Sequence, residues 1–280
     1  MKQLDSKKLS AVFRDIRFNL ASIILVFFFA LPIYYLITGA FMTRAEVYAA
    51  AWFPKKLQWQ NFYIALVEYK MLVFFRNSLL YTTAIVVLNL FFCSLTGFAL
   101  AKYDFPGKKI VFSLVLLSMM IPSVVLIVPL FIEVKSFGWL NTPWAIIIPA
   151  FIDPFGIFLM RQYIVDISDE HIDAARMDGC SEFGLFWRIV LPFSGPALVA
   201  LALYRFLFVW NDLFWPLLVI TKEKFRTLPV AIETFGAQHF EAQELQLTTS
   251  LVGALPILLI LVFSSKYVYE AMAKTGGIKS

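Results

Sequence analysis

Apolar residues in this chain come in long blocks set between widely spaced charges. There are 26 uncharged residues between Arg17 and Arg44, 25 between Arg76 and Lys102, and 23 between Lys109 and Glu133. The 25 residues between Lys135 and Arg161 are broken only by Asp153. The 33 between Arg188 and Lys222 are broken only by Arg205 and Asp212, and 21 uncharged residues separate Glu244 from Lys266. A helix needs about 20 mostly apolar residues to cross a bilayer, whereas barrel strands run about 9–11 residues and alternate in polarity. Block length therefore predicts an all-α membrane protein with six spanning helices, at about 19–41, 77–101, 110–132, 143–162, 195–219 and 247–268. The first block is too long for the apolar stretch of a cleaved leader and lacks a small-residue cleavage site. The chain then divides into an N-terminal segment 1–18, a transmembrane domain 19–270 and a C-terminal tail 271–280.

Composition narrows the function classes. Of 280 residues, 60% are hydrophobic and 15% charged, against about a quarter charged in a soluble domain. That excludes a soluble enzyme, a disordered chain and a secreted disulfide scaffold; Cys93 and Cys180 read as free thiols. The net charge of +5 needs no nucleic-acid partner, because basic residues gather at the cytoplasmic ends of spans. With the N-terminus inside, the cytoplasmic segments carry fourteen Lys and Arg and the external ones nine. This places both termini in the cytoplasm, and Trp52, Trp59, Trp139 and Trp144 at the outer boundary.

Two connections are too long to be turns: external segment 42–76 and cytoplasmic segment 161–193. The other cytoplasmic connection, 102–109, reads as a short turn with basic ends. In the long cytoplasmic segment, Ser168 can cap a helix whose first turn carries Asp169 and Glu170, matching the helix dipole. Gly179 can stop that helix in a left-handed conformation. Ser181 can cap a second short helix, which Pro192 ends. Ile172, Ala175 and Met177 need cover, and Ala174 and Ala175 let another backbone come close. An amphipathic helix on lipid is the plainer reading, but the excess of acids suits a partner protein better than an anionic leaflet.

Charges inside spans point to function or to pairing. Asp153-Pro154 with Gly156 interrupts the fourth span, and Pro122 and Pro129 interrupt the third. Arg205 sits near the middle of the fifth, with Asp212 two turns further along the same face. Two roles compete for Arg205: a structural pair with Asp153 or a partner's carboxylate, and a pathway cation that attracts an acidic substrate. Trp210, Asn211, Asp212 and Trp215 either line the outer pathway or pack and anchor. The sequence holds no Gly-x-x-x-x-Gly-Lys-Ser/Thr phosphate loop, and its histidines, His171 and His239, form no metal-ligand spacing. No nucleophile motif and no catalytic residue stand out.

The run Asp173-Ala-Ala-x-x-Asp178-Gly-x-Ser181, followed by Ile189-x-Leu-Pro192 and Pro196, resembles the EAA motif of ABC-importer permeases. The whole chain resembles the sugar-importer permeases of the maltose-permease G type. Phe105-Pro-Gly-Lys108, Leu140-Asn-Thr-Pro143, Phe158-Leu-Met-Arg-Gln162, Trp210-Asn-Asp212, Trp215-Pro-Leu217, Arg226-Thr-Leu-Pro229 and the tail Gly276-Gly-Ile-Lys279 carry the likeness. Asp173 departs from it, standing where the motif usually has Glu. The resemblance implies the type I importer permease fold, with a coupling helix between spans four and five in a bacterial inner membrane. It implies docking of an ATPase subunit at Glu170, Asp173, Ala174, Ala175, Asp178 and Gly179. It implies a homologous second permease, two ATPase subunits and an extracytoplasmic sugar-binding protein as partners. The chain would need no cofactor of its own, with ATP and Mg on the ATPase subunits. The expected function is ATP-driven carbohydrate import. An acidic saccharide or glycerol phosphate as cargo and an ion-driven secondary transporter are the alternatives, although no inverted repeat supports the last.

Overall fold

The computed structural model describes residues 2–275, whose regular elements are all helices, without strands among them. The tail Gly276–Lys279 lies outside the described residues. In chain order the helices are α1 (Lys2–Gly39), α2 (Arg44–Tyr48), α3 (Gln60–Tyr63), α4 (Met71–Lys102), α5 (Lys108–Met119), α6 (Ser123–Ser136), α7 (Trp144–Ala150) and α8 (Pro154–Val165). They continue as α9 (Asp169–Met177), α10 (Glu182–Leu185), α11 (Leu191–Phe193), α12 (Gly195–Trp210), α13 (Phe214–Val219), α14 (Leu228–Gln238) and α15 (Gln243–Thr275). Four stretches are long and apolar enough to cross a membrane: Ser22–Gly39, Met71–Lys102, Trp144–Val165 and Gln243–Val262. Six are, if each of two bent pairs is one span.

Both bent pairs depart from straight spans. The third span is broken where Pro122 is expected to interrupt it: α5 and α6 meet at 104°. Pro122 is extended there, at φ −60° and ψ 129°, and a proline also biases the residue before it away from helix. Pro129, by contrast, lies within α6. The fifth span, read as 195–219, stops at Trp210. Asp212 Oδ1 accepts from the Trp215 N–H in the first turn of the separate helix α13, and Asp212 lines one small cavity with Arg205, Phe208 and Val209, so it stays on the face of Arg205 although the helix has ended. Upstream, Pro192 does not end the second short helix. Residues Phe186–Val190 form a π-helical turn, and Pro192 sits in the first turn of α11, where a missing N–H is tolerated. The sharp bend, 80°, comes next, between Phe193 and Gly195.

The chain forms two compact units. The first comprises Met1–Lys70 and Thr234–Ala254. Its N-terminal part is tied to its C-terminal part by polar contacts. Asn61 Nδ2 donates to the carbonyls of Ala40 and Met42, Thr248 Oγ1 donates to Ala40 O, and Arg44 Nε donates to Glu244. Thr43 and Glu46 form a reciprocal cap on α2, and its hydrogen bonds hold the Glu46 carboxyl below the usual range.

The second unit comprises Met71–Glu233 and Leu255–Ser280. Its axis is α4, which packs along α8. A Cβ on Gly97 would come within 2.9 Å of both Arg161 N and Met160 Cβ, so only glycine permits this approach. One apolar cluster at the Lys102 end of α4 gathers Phe98, Leu100, Met160, Ile164, Ile172, Leu185, Phe186, Val190 and Leu201, among others. A second gathers Tyr81, Ile85, Val134, Ile146, Val219 and Ile220.

Candidate functional site

Residues 166–193 build a short helix, a glycine bend and a second helix. Ser168 Oγ accepts from the Glu170 N–H and opens α9, with Asp169 and Glu170 in its first turn. Gly179 takes φ +79°, and its N–H closes on Arg176 O while the Cys180 N–H closes on Ala175 O. This is the glycine stop expected at a helix end. Ser181 Oγ accepts from the Gly184 N–H and opens the second helix. Ile172 is buried in the apolar cluster with Leu185, Phe186 and Ile164. Burying a side chain of that size contributes roughly 2 kcal/mol and seats α9 on the bundle. The cover expected for Ile172 thus comes from the chain itself, Ala175 is half-buried against the same cluster, and Met177 stays 87% exposed.

Of the residues predicted to receive a partner, Glu170, Asp173, Ala174, Asp178 and Gly179 are exposed and Ala175 is half-buried. They share α9 and its stop. Arg176, not singled out from the sequence, organises them. Its Nη1 donates to Asp173 Oδ1 at 3.1 Å, its Nε to Glu182 Oε1 at 3.0 Å and its Nη2 to Glu182 Oε2 at 3.2 Å. Tyr103, just beyond α4, also donates to Glu182. These bonds hold the Glu182 carboxyl below its ordinary range, the Arg176 guanidinium being the chief cause. Burial, aided by Glu182, pushes the Tyr103 phenol up to about 12. Lys102 is a second residue the sequence reading passed over. Its Nζ donates to Val165 O, Ile167 O and Asp169 Oδ1, the last at 2.7 Å, and this ammonium holds the Asp169 carboxyl low.

The second set of predicted residues lies around the break in the fourth span. Pro154 has no N–H to offer Ala150 O, the acceptor four residues back. Arg205 of α12 donates to that carbonyl instead. Its Nε stands 3.8 Å from Asp153 Oδ2, with side chains 7% and 14% exposed. Asp153 Oδ1 accepts from the Gly156 N–H and caps α8. From α4, Asn89 Nδ2 reaches Asp153 Oδ2 at 2.9 Å and Phe151 O at 3.1 Å. The broken helix is thus filled by Arg205 from one neighbour and Asn89 from another, which is how backbone freed by proline is satisfied inside a bundle. Trp210 is buried and stacks on Phe206, with Phe75 edge-on. Asn211 and Asp212 instead line an open groove of about 630 Å³ with Tyr204, Leu207, Phe208, Leu213 and Phe214. Among the described residues no group of His, Cys, Asp and Glu could hold a metal ion.

Comparison with known proteins places this architecture. Residues 93–274 match the model of a family described as binding-protein-dependent transport system inner membrane component. The arabinooligosaccharides transport system permease protein AraQ of Halalkalibacterium halodurans is 37% identical over 227 residues, covering 81% of each chain. The probable starch degradation products transport system permease protein AmyC of Thermoanaerobacterium thermosulfurigenes is 27% identical, covering 89% of this chain and 91% of that one. The fold is shared with a crystal structure of a bacterial ABC transporter involved in the import of the acidic polysaccharide alginate. That match has a TM-score of 0.79 and 23% identity, over 90% of this chain and 97% of that one.

Proposed function

The chain belongs to the family of binding-protein-dependent transport system inner membrane components, and on that premise we propose that it is the permease subunit of an ATP-driven importer of oligosaccharides. The observation that carries the proposal furthest is the capped helix, glycine bend and second helix suspended between α8 and α12. The segment rests on the bundle through Ile172 and turns Asp173, Ala174 and Asp178 outward. An element firmly seated on one side and open on the other suits the transmission of a partner's movement. In this reading α9 enters a cleft of an ATPase subunit. The segment faces the cytoplasm, with both termini on the same side. ATP and Mg are bound and turned over on two ATPase subunits, since the sequence has no phosphate loop of its own. A second, homologous permease completes the pathway, and an extracytoplasmic binding protein delivers the sugar. ATP binding closes the ATPases, α9 moves with them, the permease pair opens outward and the sugar is released; hydrolysis resets the cycle.

The relatives named for arabinooligosaccharides and starch products support a neutral oligosaccharide as cargo. So does the balance of Arg205 by Asp153, which leaves Arg205 no bare charge to draw an acid. The test is co-purification of the ATPase in mild detergent. Asp173→Lys should lower its yield, and Asp173→Glu, which restores the usual carboxylate of the motif, should not. Equal yields would mean that Asp173 makes no contact with the ATPase.

A further inference from the structure

The segment that carries α9 is joined covalently to α8 on one side and, through α10 and α11, to α12 on the other. Two consecutive residues at the end of α4 also grip it without a covalent bond. Lys102 holds the incoming arm. Its side chain is 6% exposed, and its ammonium spans the last carbonyl of α8, the Ile167 carbonyl beyond it and the first carboxylate of α9. Tyr103 holds the outgoing arm. Its hydroxyl donates to Glu182 at the start of α10, its ring packs against Phe98 of α4, and the Arg176 guanidinium lies over it. Arg176 in turn bonds both Asp173 and Glu182, so both arms and the end of α4 meet in one polar joint. These are charge-assisted contacts, about twice as strong as neutral ones.

We propose that Lys102 and Tyr103 make α4 a third lever of the coupling segment: they are positioning residues that carry movement of α9 directly into the helix at the axis of its unit. The proposal rests on the reading that α9 docks an ATPase. If α9 were levered only through its covalent neighbours, the end of α4 would be free to stay behind when the ATPases close. With the joint intact, the bend and the end of α4 move as one body.

The assembled importer, with Cys93→Ala and Cys180→Ser removing the native thiols, would carry nitroxides at Asp104→Cys and Phe183→Cys, both exposed positions, one next to Tyr103 and the other next to Glu182. Dipolar broadening between them would be compared without nucleotide and with ATP plus orthovanadate. Unchanged broadening in the otherwise native chain is expected, and its loss on trapping in Lys102→Met with Tyr103→Phe. Vanadate-sensitive hydrolysis should fall about tenfold in that variant, the scale of one charge-assisted hydrogen bond. Lys102→Arg, which can still reach the carbonyls and Asp169, should retain most of it. Should the double variant fail to assemble, Asp169→Asn removes only the exposed end of the tie and should show a partial version of both effects. Broadening that persists on trapping in the double variant or stays native in Asp169→Asn, or that vanishes in the native chain, would overturn the third lever. A native importer that binds no ATPase at all would instead remove the docking reading beneath it.

Discussion

Arg176 grips Glu182 with two parallel hydrogen bonds, 3.0 and 3.2 Å long, across a bend made by Gly179 at φ +79°. The pair fixes the angle between two short helices that on their own would be too short to hold a geometry. The glycine permits the bend and the ion pair selects it.

Backbone conformation alone therefore sets the cost at position 179. A Cβ built on Gly179 meets nothing within 4 Å, so no clash contributes. Gly179→Val forces a β-branched residue into the left-handed region, about 1–2 kcal/mol for an ordinary side chain and more for this one. Gly179→Asn should be milder, because asparagine visits that region readily. Insertion and assembly should survive in both, while sugar-stimulated hydrolysis in proteoliposomes falls in the order Gly, Asn, Val. Near-native transport by the valine variant would mean that the bend angle is immaterial.

The local chemistry of this site was legible in the sequence. Ser168, Gly179 and Ser181 act within a turn of their own positions, so residue type alone is informative. The long-range part was not. Arg176 and Glu182 are six apart, a spacing that brings no two residues together on a helix. Lys102 and Asp169 are 67 positions apart, joined only by how α4 packs along α8. Asn89 carries no charge, so its residue type does not mark it inside a span, although it fills the same break as Arg205. Pro192 misled because the preceding π-helical turn makes a place for it. In the third span Pro122 marks the break, but its hydropathy is unbroken and does not give the 104° angle between the two helices.

Acid should loosen the joint at Glu182. The folded state holds this carboxyl below its ordinary range through Arg176 and then Tyr103. Its contribution is therefore present above the unfolded value of about 4.3 and is lost as pH falls through the lower folded one. The thermal midpoint of the detergent-solubilised protein should exceed that of Glu182→Ala by a constant margin from neutral pH down to about 5, and the margin should close below about 4. A margin that shrinks between pH 8 and 6 would point to a different titrating group.

Packing of α4 on α8 depends on the missing side chain at Gly97. A valine there would press on the Arg161 backbone and the Met160 Cβ at 2.9 Å, and backbone cannot swing aside. Overpacking of this kind costs about 1–3 kcal/mol or more. Gly97→Val should lower the yield of monodisperse protein in size-exclusion chromatography, and Gly97→Ala should do so less. Equal behaviour of both variants and the native chain would show that the two helices can separate without loss.

The Arg205 guanidinium donates to Ala150 O and lies 3.8 Å from Asp153. Arg205→Met removes the partner of a buried carboxylate and of a carbonyl that Pro154 leaves unpaired. Breaking a buried pair from one side costs about 3–5 kcal/mol, because an uncompensated charge remains. Assembly yield and thermal midpoint should both drop. Adding Asp153→Asn removes the stranded charge and should recover most of the loss. Recovery should be incomplete, since Ala150 O still lacks a donor, worth about 1–3 kcal/mol. Arg205→Lys should assemble poorly too, because one ammonium on a flexible stem cannot reproduce the planar fork that serves carbonyl and carboxylate together. The opposite pattern is equally specific. If Arg205→Met assembled normally and lost transport alone, and lysine restored it, the guanidinium would be acting on cargo as a charge. An acidic saccharide would then replace the neutral oligosaccharide as the proposed substrate.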